Sequence, residues 1–183
     1  VFDESRLPLR IQRQLSQLQA GDFVNRAENV LCFGLPGTGK SHLAAAIGHE
    51  LVENGRSVLF MPTFKLVGRL LRAKQEYELE RELRRLDKFE VVILDDIGYV
   101  QQSREEMEVL FTFLSERYER RSLIITSNLV FSEWDKIFKD PLTTAAAIDR
   151  VIHHSIIIEF GREMKSMRME AAAKRLKRPL VLD

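Results

Sequence analysis

The plainest chemistry in this chain lies in Gly34-Leu35-Pro36-Gly37-Thr38-Gly39-Lys40-Ser41. The apolar run Val30-Leu31-Cys32-Phe33 precedes it and a helical pattern starts near Lys40. That is the strand, loop and helix setting a G-x-x-x-x-G-K-S phosphate loop requires. Gly34, Gly37 and Gly39 let the backbone curl so that successive N–H groups face phosphate oxygens, and the following helix adds its positive end. Lys40 is placed to reach β- and γ-phosphates, and the Ser41 hydroxyl to ligate Mg²⁺. The nucleotide-binding set is therefore Gly34, Pro36, Gly37, Thr38, Gly39, Lys40, Ser41 and His42. The bland alternative, a glycine turn between strand and helix, leaves the apolar strand and helical flanks unexplained.

Three further positions could share that crevice, because open α/β sheets bind ligands beyond the carboxyl ends of their strands. Asp95-Asp96 follows the run Val91-Val92-Ile93-Leu94. Asp95 would hold Mg²⁺, and Asp96 would polarise an attacking water, a role more often taken by the longer Glu. Asn128 ends the strand Leu123-Ile124-Ile125-Thr126 and could orient a water or sense a γ-phosphate. Arg150, in Ala147-Ile148-Asp149-Arg150, could stabilise charge on a γ-phosphoryl group in trans, or merely pair at the surface with Asp149 or Glu159. His153-His154 is expected on the same helix, where adjacent side chains do not face one another. No metal other than Mg²⁺ is expected.

The elements that must carry these residues are legible from hydrophobic period. The chain has 183 residues, enough for one substantial core. Its 28 Lys+Arg and 27 Asp+Glu nearly cancel, so a nucleic-acid partner would have to be recognised by local clusters. Cys32 is the single cysteine, so no intrachain disulfide is possible and a reducing cytoplasm is the natural compartment. No run reaches transmembrane length. A short amphipathic helix with Leu7, Ile11, Leu15 and Leu18 should end at Gly21. Strands are expected near 29–33, 57–61, 91–94, 123–126 and 155–159. Helices are expected from Lys40 to about Glu53, after Pro62, near 76–87, from a capping box at Ser103–Glu106 to about Arg120, around Trp134 and near 143–153, with a basic C-terminal helix last. Strands alternating with helices specify an α/β sandwich, a five-stranded, mostly parallel sheet with helices on both faces.

Taken together, the motifs resemble an AAA+ ATPase of the initiator and helicase-loader clade. More narrowly they resemble the IstB-type helper ATPases of bacterial insertion sequences, relatives of the DnaC helicase loader. The resemblance rests on Arg26-Ala27-Glu28-Asn29-Val30-Leu31, the phosphate loop with Lys40-Ser41-His42-Leu43-Ala44, Leu94-Asp95-Asp96-Ile97-Gly98, Ile125-Thr126-Ser127-Asn128, and Ala147 through Ser155 with its Asp149-Arg150 and His153-His154. It implies a P-loop NTPase three-layer sandwich of the AAA+ type. It also implies Asp95 as Walker-B residue, Asn128 as sensor 1 and Arg150 as an arginine finger acting on a neighbouring subunit. The catalytic set is then Lys40, Asp95, Asp96, Asn128 and Arg150, with Ser41 and Asp95 on Mg²⁺. ATP and Mg²⁺ are the implied cofactors, duplex DNA and a transposase the implied partners, and a homo-oligomer the implied assembly. A replicative helicase is the alternative client. The chain begins at Val1 rather than Met, and residues 1–25 read as a lead-in helix left from a longer chain, ahead of an ATPase domain over 26–183. Gly161 to Arg168 follows the family only loosely, leaving Arg168 a weak candidate for nucleotide sensing.

Lys65, Arg69 and Arg72 fall at i, i+4, i+7, so one helix face presents three cations able to neutralise DNA phosphates without sequence preference. The tail Lys174, Arg175, Lys177, Arg178 is a second candidate. Either could equally be a solvated face. A small-molecule kinase would need an acceptor pocket with its own base, and nothing suggests one. A non-hydrolysing binding module would have no use for Asp96. No guanine-reading N-K-x-D segment follows the strands.

Overall fold

Five apolar runs become five parallel strands: β1 (Asn29–Gly34), β2 (Val58–Pro62), β3 (Val91–Asp95), β4 (Ser122–Ser127) and β5 (Ser155–Phe160). The structure, a computed structural model, describes residues 7–99, 103–138 and 140–161. Arg168 and the basic tail Lys174, Arg175, Lys177 and Arg178 lie outside the described residues, as does the expected C-terminal helix. The sheet order is β2-β3-β4-β1-β5, with every pairing parallel. The phosphate-loop strand β1 thus sits between β4 and β5, and β3 lies on the far side of β4.

Among the described residues eight α-helices accompany the strands: α1 (Leu9–Gln19), α2 (Asp22–Asn25), α3 (Lys40–Glu53), α4 (Thr63–Gln75), α5 (Leu79–Leu86), α6 (Arg104–Arg117), α7 (Asp135–Phe138) and α8 (Pro141–Ile152). Successive strand side chains point to opposite faces, so each apolar strand feeds two cores. On one face Val30, Cys32, Ile93, Ile124 and Ile158 pack with Leu43, Ile47 and Leu51 of α3, and with Ile11, Leu15 and Leu18 of α1. On the other, Leu31, Phe33, Val92, Leu94, Leu123 and Ile125 pack with Leu66 and Leu70 of α4, Leu110 and Phe113 of α6, and Val151 of α8. A buried Leu or Ile contributes about 1.5–3 kcal/mol, so the two layers hold the sheet from both sides.

Polar groups fix the amino ends of the strands. Arg117, 2% exposed, donates to the carbonyls of Leu86, Phe89, Glu90 and Ser122. Burial pushes its pKa down to about 10, so the guanidinium stays charged at neutral pH. The buried Asn29 amide donates to the Val151 carbonyl, and its Oδ1 accepts from Leu123 N–H. Glu90 accepts from Arg56 Nη1 at 2.8 Å and from the Ser57 N–H at 3.1 Å. The capping box read from the sequence opens α6, with Ser103 Oγ accepting from Glu106 N–H and Glu106 Oε2 from Ser103 N–H.

Candidate functional site

The phosphate loop leaves β1 where a side chain would not fit. A Cβ on Gly34 would stand 2.6 Å from Phe160 Cβ and 3.0 Å from the Phe160 carbonyl oxygen on β5. Gly39 then serves as N-cap of α3 in left-handed backbone, with φ of 104° and no side-chain cap of its own. The first-turn N–H groups of α3 therefore open at the end of the loop, and a helix amino end carries partial positive charge. Thr38 is buried and donates from Oγ1 to the Leu35 carbonyl. Lys40 is 6% exposed, and its Nζ donates to the carbonyls of Gly34 and Leu35, both at 2.8 Å. Those bonds hold the ammonium across the inside of the loop, where a phosphate chain would run.

Asp95 and Asp96 stand beside this loop because β3, β4 and β1 end together. Leu94 pairs with Ile125 on β4, and Phe33 on β1 pairs with Ser127. One residue further on, Thr126 links the Asp95 carboxylate to the backbone of Asp96. Its Oγ1 donates to Asp95 Oδ1 at 2.7 Å and accepts from the Asp96 N–H at 2.8 Å. Asp96 takes a left-handed conformation, φ 57°, which turns the chain off the strand. Non-glycine residues rarely adopt this conformation, Asp and Asn more readily than most. Asn128 Nδ2 donates to Asp96 Oδ1 at 3.1 Å. Thr63 Oγ1, at the start of α4, donates to the Asp95 carbonyl at 3.0 Å.

The turn carrying Asn128 is pinned as well. Ser127 Oγ bridges to both the N–H and the carbonyl of Leu129, and Trp134 Nε1 donates to that carbonyl. Phe131 packs edge-on to Phe33 at 4.6 Å between centroids, tying this turn to the phosphate-loop strand.

One cleft of about 120 Å³ is lined by Pro36, Gly37, Gly39, Lys40, Ser41, His42, Asp96, Thr126 and Asn128. The sequence reading included all of these except Thr126. Asp95 lies immediately behind, held by Thr126 and Thr63. Thr126 has no role in the site on sequence grounds because a threonine inside a strand reads as an ordinary β-former, and only the β3–β4 register puts its hydroxyl between the Asp95 carboxylate and the Asp96 N–H. Ser41 lines this cleft with Asp95 behind it, and hydroxyl and carboxylate oxygens are the hard donors that Mg²⁺ accepts. The loop N–H groups and Lys40 suit a polyphosphate. Cys32 takes no part, since burial pushes its thiol up to about 12. A larger concavity, about 770 Å³, lies among Lys74, Met107, Phe111, Phe138 and Thr143 and holds none of the loop residues.

Arg150 is not in this cleft. It sits on α8 with its guanidinium carbon 5.0 Å above the centre of the Phe111 ring, and its Nη1 donates to the Ala146 carbonyl. Ring and carbonyl orient it, whereas the sequence left a surface pair with Asp149 or Glu159 open. Lys65, Arg69 and Arg72 share the exposed face of α4, as their spacing predicts. Arg69, however, is ion-paired with Glu82 of α5, a carboxylate that also pairs with Arg85. Together they line a groove between α4 and α5 that Arg81 joins.

One sequence expectation needs correcting. Helix α8 ends at Ile152, so His153 and His154 are not helical neighbours. His154 has φ 61°, and this reversal swings the two imidazoles together, with centroids 4.1 Å apart.

This sheet order, loop and cleft define a P-loop protein of the AAA+ type. Among solved structures, the fold superposes on DnaI with a TM-score of 0.71 at 23% identity, covering 86% of this chain and 89% of that one. The DnaC helicase loader gives 0.64 at 20% identity, over 83% and 89% of the two chains. In sequence, residues 4–175 match the family described as IstB-like ATP binding protein, and the chain belongs to that family. An insertion sequence ATP-binding protein of Sinorhizobium fredii is 47% identical over 175 residues, 95% of this chain and 59% of its own length. The insertion sequence IS21 ATP-binding protein of Pseudomonas aeruginosa is 43% identical over 162 residues, 88% of this chain and 61% of its own. The chain thus spans about three-fifths of the curated relatives it matches.

Proposed function

We propose that this chain is the ATPase core of a transposition helper. It binds ATP with Mg²⁺, oligomerises on duplex DNA, and uses hydrolysis to ADP and phosphate to reset an assembly that presents target DNA to a transposase. The observation that carries the reading is the meeting of Lys40, Ser41, Asp96, Thr126 and Asn128 around one cleft at the ends of β1, β3 and β4. The insertion-sequence names of its relatives support the transposition context. The cytoplasm of a bacterium is the matching compartment. Among the described residues no helix is long and apolar enough to cross a membrane.

In this reading the loop N–H groups and the α3 amino end hold the phosphates, and Lys40 shifts from its carbonyl partners toward the β- and γ-phosphates. Ser41 and Asp95 would hold Mg²⁺, which when bound neutralises phosphate charge. Thr126 keeps the Asp95 carboxylate aimed. Asp96, bridged to Asn128, is the group that orients and polarises water, with Asn128 reporting the γ-phosphate back to the β4 turn. Arg150, held over Phe111 away from its own cleft, serves the cleft of a neighbouring subunit. The Thr63 bond to the Asp95 carbonyl connects the cleft to α4, which carries Lys65, Arg69 and Arg72 toward DNA phosphates.

ATP hydrolysis measured with and without duplex DNA, over a range of protein concentrations, tests the reading. Rates should rise more than linearly with concentration, increase with DNA and collapse in Arg150→Ala. A linear, DNA-indifferent rate that survives Arg150→Ala would overturn the shared-site assignment.

A further inference from the structure

A second cluster of coordinating side chains lies outside the nucleotide cleft, where the end of α6 meets the turn from α8 into β5. Glu119 follows α6 in left-handed backbone, φ 56°, and the His153-His154 turn lies against it. His153 Nδ1 stands 3.6 Å from Glu119 Oε1, and His154 Nε2 stands 4.0 Å from the same oxygen. One ligand atom from each of the three residues falls within 4.8 Å of the other two. All three side chains are about half exposed, so an ion can reach them without unfolding anything.

We propose that Glu119, His153 and His154 bind a first-row divalent transition-metal ion of the Zn²⁺ class. Two imidazoles and a carboxylate are the mixed nitrogen and oxygen set that Zn²⁺, Co²⁺ and Ni²⁺ accept, whereas Mg²⁺ and Ca²⁺ favour oxygen alone. Zn²⁺ bonds of about 2.0–2.2 Å place tetrahedral ligands about 3.3–3.5 Å apart, so the two imidazole-to-carboxylate distances, 3.6 and 4.0 Å, close by roughly half an ångström or less, and no pair, all being within 4.8 Å, by more than about 1.5 Å. Exposed side chains supply that movement by rotamer adjustment. Tyr118 Oη lies 2.6 Å from His153 Nδ1, and metal entry at that nitrogen exchanges this hydrogen bond for a coordinate one. Three protein ligands leave a fourth position to water or to a group from another molecule. The site sits beside the helix that carries Arg150, but the metal assignment does not depend on ATP chemistry.

The test is calorimetric titration of the metal-free chain with ZnCl₂ in buffer without nucleotide or Mg²⁺, repeated with CoCl₂ and followed by visible absorption. One equivalent should bind with a Kd of about 10 µM or tighter, and the cobalt form should show d–d bands. His154→Ala and Glu119→Gln should each weaken binding by about tenfold or more and abolish those bands. Melting curves without metal check that the variants remain folded. No zinc binding up to about 1 mM, or variants that bind as the parent does, would overturn the proposal. So would binding lost in Asp95→Asn but kept in His154→Ala, since that would put the ion in the phosphate cleft.

Discussion

Replacing Thr126 with Val keeps the shape of the side chain and removes the one hydroxyl that joins Asp95 to Asp96. Asp95 Oδ1 loses a donor at 2.7 Å, and the Asp96 N–H loses its acceptor at 2.8 Å. Thr126 is 1% exposed, so water cannot simply take the place of its hydroxyl. Leaving such groups unpaired costs about 1–3 kcal/mol. If about 2 kcal/mol of this appears as misplacement of the acidic pair during hydrolysis, turnover falls about 30-fold. Nucleotide affinity, which depends on the loop and Lys40, should stay within about threefold. The assay is steady-state phosphate release at saturating ATP, alongside nucleotide titration and a melting curve for each variant. Thr126→Ser restores the hydroxyl and should return turnover to within about threefold of the parent. A folded Thr126→Val that hydrolyses ATP at the parental rate would refute a positioning role for this hydroxyl.

Four other perturbations follow from the same structure. Arg117→Met leaves four carbonyls without their shared donor and should lower unfolding free energy by about 2–4 kcal/mol in urea denaturation. Gly34→Ala presses a methyl against Phe160 side chain and backbone, so it should cost about 1–3 kcal/mol of stability and weaken nucleotide binding measured by fluorescent-analogue titration. Arg56 holds the Glu90 carboxyl below its ordinary pKa of 4.5, which contributes stability above that value and loses it as pH falls through the folded-state value. Glu90→Gln should therefore cost about 1 kcal/mol at pH 7 and flatten the acid limb of a Tm-against-pH curve. Lys65→Glu combined with Arg72→Glu should weaken ATP-dependent DNA binding and flatten its salt dependence in fluorescence anisotropy. Arg69 is left intact there, because a glutamate at 69 would face the buried Glu82 and report on folding instead.

Features governed by local pattern were legible in the sequence. The phosphate loop is a contiguous spacing, and α3 runs from Lys40 to Glu53 because Gly39 and Asn54-Gly55 punctuate it on either side. Ser103 and Glu106 announced the start of α6 in the same way. What escaped were relations between distant segments. The role of Thr126 needs the β3–β4 register, and the commitment of Arg69 needs Glu82 of the next helix. The strand order is set by crossovers that no single strand encodes. His153-His154 was misread because helical periodicity gives no warning of the chain reversal at His154 one residue beyond the end of α8.

The buried guanidinium of Arg117 has a mechanical consequence. With Asn29 and Glu90 it binds the amino ends of the strands into one stiff root, while every group facing the nucleotide cleft stands at the opposite tips. A sheet clamped at its root behaves as a cantilever. In the proposed cycle, load applied at the tips by a changing phosphate chain would therefore pass outward into α4, through the Thr63 bond to Asp95, and into the Asn128 turn. Amide exchange should accordingly be slowest at the root and respond to nucleotide only near the tips.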